Sequence, residues 1–387
     1  MMTADIQIPS IIKIGGGCFA EVPAVLERLH CRRPMIVTDA FLVSRGLPQE
    51  LKEMIVAVGM ECEIFSDTVP DPTTEAVAKG VEAFVAGGHD SLVSLGGGSP
   101  IDTAKAIGML AANGGKARDY KVPNPPKKAG APHVAIPTTA GTGSEVTRFT
   151  VISDSETHEK MLIAGGTLLP NAAIVDFELT MTMPARLTAD TGTDSLTHAI
   201  EAYVSRKANG FTDTLALGAM KTIWDELLTA YKDPSNVKAR EAMMLAATQA
   251  GLAFSNASVA LVHGMSRPIG VHFHVPHGLS NAMLLPTVVK FSLPAAQERY
   301  ADCARAMGLA TKDDSDAKAG EALIAGLYRR NEELQVPSPK KYGIDEKKYF
   351  ELIPTMAQQA LGSGSPANNP RIPNAEEICE LYRQAWE

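Results

Sequence analysis

The fold class of this chain is indicated by the segment Ser91-Leu-Val-Ser-Leu-Gly-Gly-Gly-Ser-Pro-Ile-Asp-Thr-Ala-Lys-Ala106. Its first residues, up to Leu95, are typical of a buried strand, and a helical pattern follows from Pro100 to Ala112. A strand that passes through a glycine-rich turn into a helix indicates a βαβ unit and therefore a parallel sheet. Ser99 suits the N-cap of this helix, with Pro100 at its first position and Asp102 at its third.

The same alternation extends in both directions from this stretch. Three further strands are predicted at Pro34–Asp39, Cys62–Phe65 and His133–Ile136. Helices are predicted at Ala20–Leu29, Gln49–Val58 and Thr74–Ala86. Short strands separated by helices of about ten residues or more are typical of an α/β domain with a parallel sheet.

The pattern changes near Pro184, after which the chain is almost entirely helical in character. The segment from Arg240 to Phe254 is apolar on most faces after its first turn, which indicates a helix inside a bundle. We therefore predict two domains, an α/β domain at residues 1–183 and an all-α domain at residues 184–387.

Composition excludes several classes of protein. The chain has 387 residues, of which 45% are hydrophobic and 21% charged, a balance that excludes disorder over most of its length. The net charge of −8 gives no general attraction to phosphate polymers, so we expect no nucleic acid partner. The five cysteines lie far apart without a CxxC motif, which favours reduced thiols in a cytoplasmic protein. We expect neither a signal peptide nor a membrane span.

The glycine-rich turn is a candidate phosphate site. Gly96, Gly97 and Gly98 remove side chains at the point where free N–H groups and the positive end of a helix would face an anion. The alternative is a tight turn without a ligand. Three successive glycines cost backbone entropy, which favours the phosphate site.

Two further segments could line a dinucleotide. Asp39 ends a predicted strand, where a carboxylate can accept hydrogen bonds from a ribose and would repel a 2′-phosphate, so it favours NAD over NADP. It precedes the glycines, whereas the usual fingerprint has the acid after them, and helix capping is an equal alternative. The loop Pro137–Glu145 offers hydroxyl groups and two glycines, either for a cofactor or for capping its own backbone.

A possible metal centre lies in the helical half. Asp194 and His198 are four residues apart, so both leave one face of a helix. Four further histidines fall within fifteen residues, at His263, His272, His274 and His277. One carboxylate with three neutral imidazoles suits Fe(II), Zn(II), Co(II) or Ni(II) better than Mg(II) or Ca(II). The alternatives are a surface Asp–His pair and, for His272 and His274, the polar face of an extended segment.

The chain resembles the iron-containing (group III) alcohol dehydrogenases along essentially its whole length. The resemblance rests on long motifs in the same order: PDPTTEAV from Pro70, SLGGGSPIDTAKA from Ser94, TTAGTGSEVTRF from Thr138, TGTDSLTHAIEAYVS from Thr191 and HVPHGLSNAMLLP from His274. It implies a Rossmann-like dinucleotide-binding domain at 1–183 and a helical metal-binding and catalytic domain at 184–387, as in dehydroquinate synthase.

The resemblance also assigns residues. It implies a divalent metal, Fe(II) with Zn(II) as the alternative, held by Asp194, His198, His263 and His277. It implies that Asp39 meets the adenosine ribose of NAD and that Gly97, Gly98 and Ser99 meet the pyrophosphate. Other positions that match the nucleotide site are Thr138, Thr139, Thr142, Thr147, Phe149, Lys160 and Leu179.

Arg267 is a departure from the family pattern. Many members carry a histidine four residues after the third ligand, where it is a candidate proton relay, but this chain has Arg267. A guanidinium stays protonated and does not shuttle protons readily. We hypothesise that Arg267 pairs with an anionic group of the substrate. The alternative is an arginine bonded to a neighbouring acid or to the cofactor phosphates, and His272, His274 or water could replace the relay.

The resemblance implies an oxidoreductase that transfers a hydride between a metal-bound alkoxide and nicotinamide, as an NAD-dependent alcohol dehydrogenase or aldehyde reductase. The alternatives are a reductase specific for an anionic short-chain aldehyde, a metal- and NAD-dependent lyase or cyclase of the dehydroquinate synthase type, and a non-catalytic binding protein. The expected partner is a small alcohol or aldehyde, and the family suggests a homo-oligomer, a dimer or larger.

Overall fold

The computed structural model describes residues 3–157 and 159–387, and it divides the chain into two compact units. The first unit is Ile6–Thr182, and the second is Met183–Glu387 with residues 3–5. The predicted domain boundary, after Met183, lies one residue from this division.

The first unit contains a parallel sheet, as predicted. Its six strands are β1 (Ile11–Ile14), β2 (Pro34–Asp39), β3 (Glu63–Thr68), β4 (Ser91–Gly96), β5 (His133–Pro137) and β8 (Ala172–Val175), in the order β1-β8-β5-β4-β2-β3. An antiparallel pair, β6 (Phe149–Ser153) and β7 (Lys160–Ala164), lies outside this sheet. Strands β1 and β8 were not predicted from the sequence.

Helices of the first unit alternate with these strands. They are α1 (Val22–Arg28), α2 (Ala40–Ser44), α3 (Leu47–Ala57), α4 (Thr74–Ala86) and α5 (Gly98–Asn113). Successive side chains of a strand point to opposite faces, so each strand contributes to two cores. Ile36 of β2 packs with residues of α1 and α3, whereas Met35 and Val37 pack with residues of α4 and α5. Because both faces are covered, nearly every residue of β2, β4 and β5 is buried and these strands are mostly apolar, whereas β3 at the edge of the sheet includes exposed residues.

The strand order creates a switch point beside β2. Strand β3 pairs with one side of β2, and β4 returns to pair with the other side, with Val37 opposite Ser94. Strand β5 follows next, with Gly96 opposite Pro137. Ligands of open α/β sheets bind at the carboxyl ends of strands at such a switch point. The loops after β2, β4 and β5 meet at this edge, and they carry most of the predicted cofactor residues.

The second unit contains helices and, among its described residues, no strand, as predicted. Its helices are α6 (Ala185–Val204), α7 (Gly210–Lys232), α8 (Val237–Ala257), α9 (Leu261–Phe273), α10 (His277–Ser292), α11 (Gln297–Ala306), α12 (Asp316–Glu333), α13 (Pro339–Tyr342), α14 (Glu346–Gly362) and α15 (Ala375–Gln384). Among the described residues no single helix is long and apolar enough to cross a membrane, although α8 and α9, bent by 105°, pass the test of length and composition as a pair.

Candidate functional site

Three helices of the second unit bring the predicted metal ligands together. Asp194 and His198 lie one turn apart on α6, His263 lies in the first turn of α9, and His277 is the first residue of α10. The next residue, Gly278, permits the close approach of α10 to α6. A Cβ atom at this position would lie 2.3 Å from the backbone oxygen of Asp190. The glycine of the His277-Gly278 pair therefore has a packing role beside the candidate ligand.

The donor atoms converge on one carboxylate oxygen. Oδ1 of Asp194 lies 3.4 Å from Nε2 of His263 and 3.8 Å from Nε2 of both His198 and His277. Donor atoms of Asp194, His263 and His277 all lie within 4.8 Å of one another. The ring of His198 stacks on that of His263, with centroids 4.5 Å apart. Such a group of oxygen and nitrogen donors fits a divalent transition metal.

Exposure differs among these four side chains. The side chains of Asp194, His198 and His263 are 3–5% exposed, whereas that of His277 is 38% exposed. The group is therefore accessible from the side of His277. An open side is what a catalytic metal needs if a substrate is to reach it.

Glu201 joins the cluster, although the sequence analysis did not select it. Its Oε2 atom lies 2.6 Å from Nδ1 of His263, and its Oε1 atom accepts a hydrogen bond from the backbone N–H of Val262 at 2.6 Å. The carboxylate thus anchors the start of α9 and orients the His263 ring, leaving Nε2 toward Asp194. Glu201 follows Asp194 and His198 at helical spacing, seven and three residues later, which is the signal that could have identified it.

Asn281 is a second residue that the sequence analysis missed. It lies four residues after His277 on α10 and is fully buried. Its Nδ2 atom donates to Oδ1 of Asp194 at 2.7 Å, and it lies 3.2 Å from Nε2 of His263 and 3.3 Å from Nε2 of His277. The amide therefore contacts three of the four predicted ligands.

The electrostatics of the cluster keep the imidazole of His198 neutral. Burial lowers the pKa of His198 to about 3, against the opposing effect of Asp194. Burial also raises the pKa of Asp194, but the neighbouring His198 and His277 outweigh it, so that the pKa lies below its usual value. Burial lowers the pKa of His263, but the carboxylates of Glu201 and Asp194 outweigh it and raise the pKa overall. A carboxylate beside neutral imidazole is the state that binds a metal.

Arg267 lies one turn after His263 on α9 and is 8% exposed. Its Nη1 atom donates to Oγ of Ser365 at 2.9 Å, and no carboxylate in the described part of the chain lies within ion-pair distance. Burial lowers the pKa of Arg267 to about 10, opposed by the charge of Glu201, so the guanidinium remains charged at neutral pH. Among the described residues, Arg267 is therefore not paired with a neighbouring carboxylate, which was one of its alternatives.

His272 and His274 do not lie on an extended segment. Helix α9 continues through Phe273, and His274 ends it with a left-handed conformation, φ 54°. Nε2 of His272 lies 2.9 Å from Oε1 of Gln359, and His274 is exposed. The alternation of polar and apolar residues at 271–275 is therefore the end of a helix and not a strand.

In the first unit, the glycine-rich turn follows β4 as predicted, but the helix begins earlier than expected. Helix α5 starts at Gly98 with Gly97 at the N-cap, so the prediction that Ser99 is the N-cap is wrong. Asp102 does not cap the helix either. Its carboxylate accepts hydrogen bonds from the backbone N–H of Val151 and from Oγ of Ser144.

The turn leaves free space beside Gly97. A Cβ atom there would come no closer than 3.4 Å to Thr139, and Oγ1 of Thr139 is buried without a hydrogen-bond partner in the described chain. At Gly98 a Cβ atom would lie 3.0 Å from Thr142. The turn and the threonine loop thus face each other. An unsatisfied hydroxyl and free helix N–H groups fit the phosphates of a dinucleotide.

Asp39 caps a helix, which was one of its two alternatives. Its Oδ1 atom accepts a hydrogen bond from the backbone N–H of Leu42 at 2.9 Å, at the start of α2. A carboxylate has further lone pairs, so this bond leaves Asp39 able to accept a ribose hydroxyl. Its place at the end of β2, next to β4, also explains how an acid that precedes the glycines in sequence lies beside them in the sheet.

A buried lysine organises the threonine loop. Nζ of Lys105 donates to the backbone and side-chain oxygens of Ser144 and Thr147 and to the backbone oxygen of Phe149, at 2.7–3.0 Å. Burial lowers the pKa of Lys105 to about 8, against the attraction of Asp102 and Glu145. The hydroxyl of Thr147 is therefore turned toward the lysine, within the wall of the site.

The remaining predicted cofactor residues occupy different places in the first unit. Thr138 is buried, and its backbone N–H donates to the oxygen of Gly96 at 2.9 Å. Phe149 and Lys160 begin β6 and β7, and Nζ of Lys160 bonds to Asp71 at 2.7 Å. Leu179 packs against the core beneath α1 and α3.

Comparisons with known proteins agree with this architecture. Residues 9–177 match the family model described as iron-containing alcohol dehydrogenase, and residues 188–386 match the C-terminal model of the Fe-containing alcohol dehydrogenase family. The chain is 41% identical to an NAD-dependent methanol dehydrogenase of Bacillus methanolicus, over 98% of each chain. It is 37% identical to lactaldehyde reductase of Escherichia coli K12, over 96% of this chain and 97% of that protein. A crystal structure of 1,3-propanediol oxidoreductase superposes with a TM-score of 0.95 at 36% identity, covering 99% of this chain and 100% of the other.

Proposed function

We propose, because this chain belongs to the iron-containing alcohol dehydrogenase family, that it interconverts a small alcohol and its aldehyde with NAD as the redox partner. The observation that carries the proposal is the convergence of His198, His263 and His277 on Oδ1 of Asp194. These side chains would hold one divalent ion, Fe(II) with Zn(II) as the alternative.

The ion would supply Lewis-acid stabilisation of negative charge on the substrate oxygen, and NAD would accept or return the hydride. The protein residues provide position and polarity. Glu201 holds the His263 ring by its Nδ1 atom, which fixes the direction of Nε2. Exposure of His277 leaves the substrate a way to reach the centre. Arg267 does not transfer the proton, because its guanidinium stays charged at working pH.

The dinucleotide would bind at the carboxyl edge of the parallel sheet. Asp39 would accept a hydroxyl of the adenosine ribose and disfavour the 2′-phosphate of NADP. Gly97, Gly98 and Ser99 would offer backbone N–H groups to the pyrophosphate. The threonine loop, with Thr138, Thr139, Thr142 and Thr147, and the positions Phe149, Lys160 and Leu179 would form the rest of the cofactor site.

The experiment is a panel of short alcohols and aldehydes assayed with NAD(H) and NADP(H). We expect alcohol-dependent growth of the NADH absorbance band, loss of that activity after exhaustive chelation and recovery with Fe(II) or Zn(II). Net NADH formation distinguishes a dehydrogenase from a lyase that uses NAD transiently. Full activity of a metal-free preparation contradicts the proposal.

A second candidate is a reductase of anionic short-chain aldehydes. It is favoured by Arg267, whose charged guanidinium is buried beside the metal cluster and bonded to a serine and not to an acid. We expect Arg267→Ala to reduce kcat/KM for an aldehyde carboxylate or sulfonate at least about tenfold more than for a neutral aldehyde. Ser365→Ala is the matched control, because it removes the same hydrogen bond but keeps the charge. An equal loss on both substrate types excludes this candidate.

The proposal includes a cytoplasmic homo-oligomer without a nucleic acid partner. Free thiols at all five cysteines support a reducing compartment. Strand β1 lies at an edge of the sheet, with Ile14 about half exposed, so a second copy could cover it. Light scattering coupled to gel filtration gives the molar mass, and the mass of a single chain excludes the oligomer.

A further inference from the structure

The side-chain amide of Asn281 lies among the candidate metal ligands. Its Nδ2 atom is 2.7 Å from Oδ1 of Asp194, 3.2 Å from Nε2 of His263 and 3.3 Å from Nε2 of His277. These three atoms belong to three different helical positions, and the amide nitrogen is their shared neighbour.

The hydrogen-bonding capacity of the amide is only half used. Its nitrogen carries two hydrogens and faces three lone pairs, so both hydrogens have an acceptor when no ion is bound. Its oxygen, Oδ1, is buried and has no hydrogen-bond partner within the described chain. A buried acceptor without a donor is rare and costs free energy. The side chain is thus satisfied at one end and unsatisfied at the other.

A bound ion would reverse this situation. It would take the lone pairs of Asp194, His263 and His277 that the amide nitrogen now faces, and an N–H group directed at a cation is repelled. Half a turn about the Cβ–Cγ bond exchanges the nitrogen and oxygen in nearly the same space. The oxygen, an acceptor with two lone pairs, would then face the cation.

We propose that Asn281 is a further ligand of the metal centre. When the metal binds, the side-chain amide of Asn281 rotates and presents Oδ1 to the ion. The inference rests on the proposed function, because it needs an ion at the Asp194 cluster. This role goes beyond a hydrogen bond that supports Asp194, because a residue that only donates to that carboxylate would leave Oδ1 of Asn281 without a partner.

Substitution by aspartate separates these two roles. Asn281→Asp keeps the shape and offers an oxygen ligand, but it cannot donate to Asp194. If Asn281 is a ligand, the aspartate binds the ion more tightly. If Asn281 acts only as a donor, the aspartate repels Asp194 in the same pocket and removes its support, so the ion is bound less well. Asn281→Leu removes both the donor and the ligand at similar volume.

The experiment uses Co(II) as the probe of the whole protein. Metal-free wild type is titrated with Co(II), its visible spectrum is recorded, and the rate at which a chelator removes the ion is measured. We expect one ion per chain, about tenfold slower removal from Asn281→Asp and about tenfold faster removal from Asn281→Leu. We also expect a stronger visible absorption for Asn281→Leu, because Co(II) absorbs more strongly as its coordination number falls.

Asn331→Asp is the matched control. Asn331 lies on α12 and donates a hydrogen bond at 2.8 Å to the backbone oxygen of Ala282, the residue after Asn281 on α10. Its replacement by aspartate therefore adds the same charge without contacting the predicted ligands. The inference is overturned if Asn281→Asp loses Co(II) as fast as wild type or faster, or if Asn281→Leu keeps the wild-type spectrum. Should Asn281→Leu not fold, Asn281→Asp decides. Absence of Co(II) binding by the wild type overturns both this inference and the proposed metal centre, whereas unchanged variants overturn only the inference.

Discussion

Nδ1 of His263 lies 2.6 Å from Oε2 of Glu201, and both side chains are 3% exposed. The carboxylate fixes the ring in the tautomer that directs an unprotonated Nε2 toward Asp194. Carboxylates that hold a ligating histidine in this manner are common around protein-bound metals. Glu201 therefore couples the start of α9 to the geometry of the metal cluster.

The first prediction is that Glu201→Gln weakens metal binding. The amide oxygen of glutamine can still accept from the N–H of Val262, but its nitrogen then faces Nδ1 and favours the wrong tautomer of His263. We expect the Kd for Zn(II), measured by competition with a chromophoric chelator, to rise about 10- to 100-fold. Glu241→Gln, at an exposed position of α8, is the control. An unchanged Kd in Glu201→Gln excludes an orienting role.

The second prediction is that a substitution in the glycine-rich turn weakens cofactor binding without lowering stability. Gly97→Ala places a Cβ atom in ordinary contact, 3.4 Å from Thr139, so the Tm should stay close to that of wild type. The same methyl group would occupy the space beside the helix N-terminus, and we expect the Kd for NADH to rise about tenfold or more. Fluorescence titration with NADH measures this effect.

Gly96→Ala is the contrasting variant. Gly96 has φ +150° and its Cβ atom would lie 2.5 Å from Pro100, so this change should lower the Tm. Wild-type NADH affinity in a well-folded Gly97→Ala protein contradicts phosphate binding at this turn.

The third prediction concerns the choice between NAD and NADP. Asp39→Asn keeps an oxygen for the cap of α2 but removes the negative charge, so the preference for NAD over NADP should fall with little change in Tm. Asp39→Ala should reduce the same preference and also cost about 1 kcal/mol of stability through the lost cap. The ratio of kcat/KM for the two cofactors is the measurement. If both variants keep the wild-type preference for NAD over NADP, Asp39 does not determine cofactor selection.

The fourth prediction concerns acid stability. Burial, with the charge of Lys105, lowers the pKa of His133 to about 3. Between pH 6.5 and 3 the unfolded chain therefore binds a proton at His133 that the folded protein does not bind, so stability falls as the pH falls. At pH 5 this histidine should cost about 2 kcal/mol relative to pH 7.

His133→Gln removes the titration at this position. The decrease in Tm between pH 7 and pH 5 should be smaller in the variant than in wild type, even if the variant is less stable at pH 7 through loss of the bond to Ser94. Parallel Tm curves over this range contradict a buried neutral histidine.

The sequence predicts the architecture well where strands are long and apolar. Strands β2, β4 and β5 lie inside the sheet and are mostly apolar because both faces are buried, and the sequence predicts all three. It also predicts β3, an edge strand in which Glu63 and Asp67 are exposed. Strands β1 and β8 have four residues each, and β8 is Ala-Ala-Ile-Val, half of it a residue with weak strand preference. The pairing of β8 with β1 on one side and with β5 on the other depends on the assembled sheet, which local sequence does not contain.

Local sequence likewise predicts only part of the candidate site. Spacing indicates Asp194 and His198, and the family resemblance supplies His263 and His277. Glu201 and Asn281 have helical spacing to these residues, but acids and amides mostly lie on solvated faces, so only the packing of α6, α9 and α10 reveals that they point inward. The predicted N-cap at Ser99 is wrong because α5 begins one residue earlier, at Gly98. Asp102 does not take part in a capping box because its carboxylate accepts hydrogen bonds from Val151 and Ser144, which are distant in sequence.

Anomalous diffraction from crystals of the protein reconstituted with Fe(II) or Co(II) locates the ion relative to Asp194 and the three histidines. We expect one anomalous peak per chain, with donor atoms of Asp194, His198, His263 and His277 at about 2.0–2.2 Å from it. If the ion of a fully loaded protein lies elsewhere, with the three imidazoles not bound to it, these residues are not the metal centre and the proposed activity loses its basis.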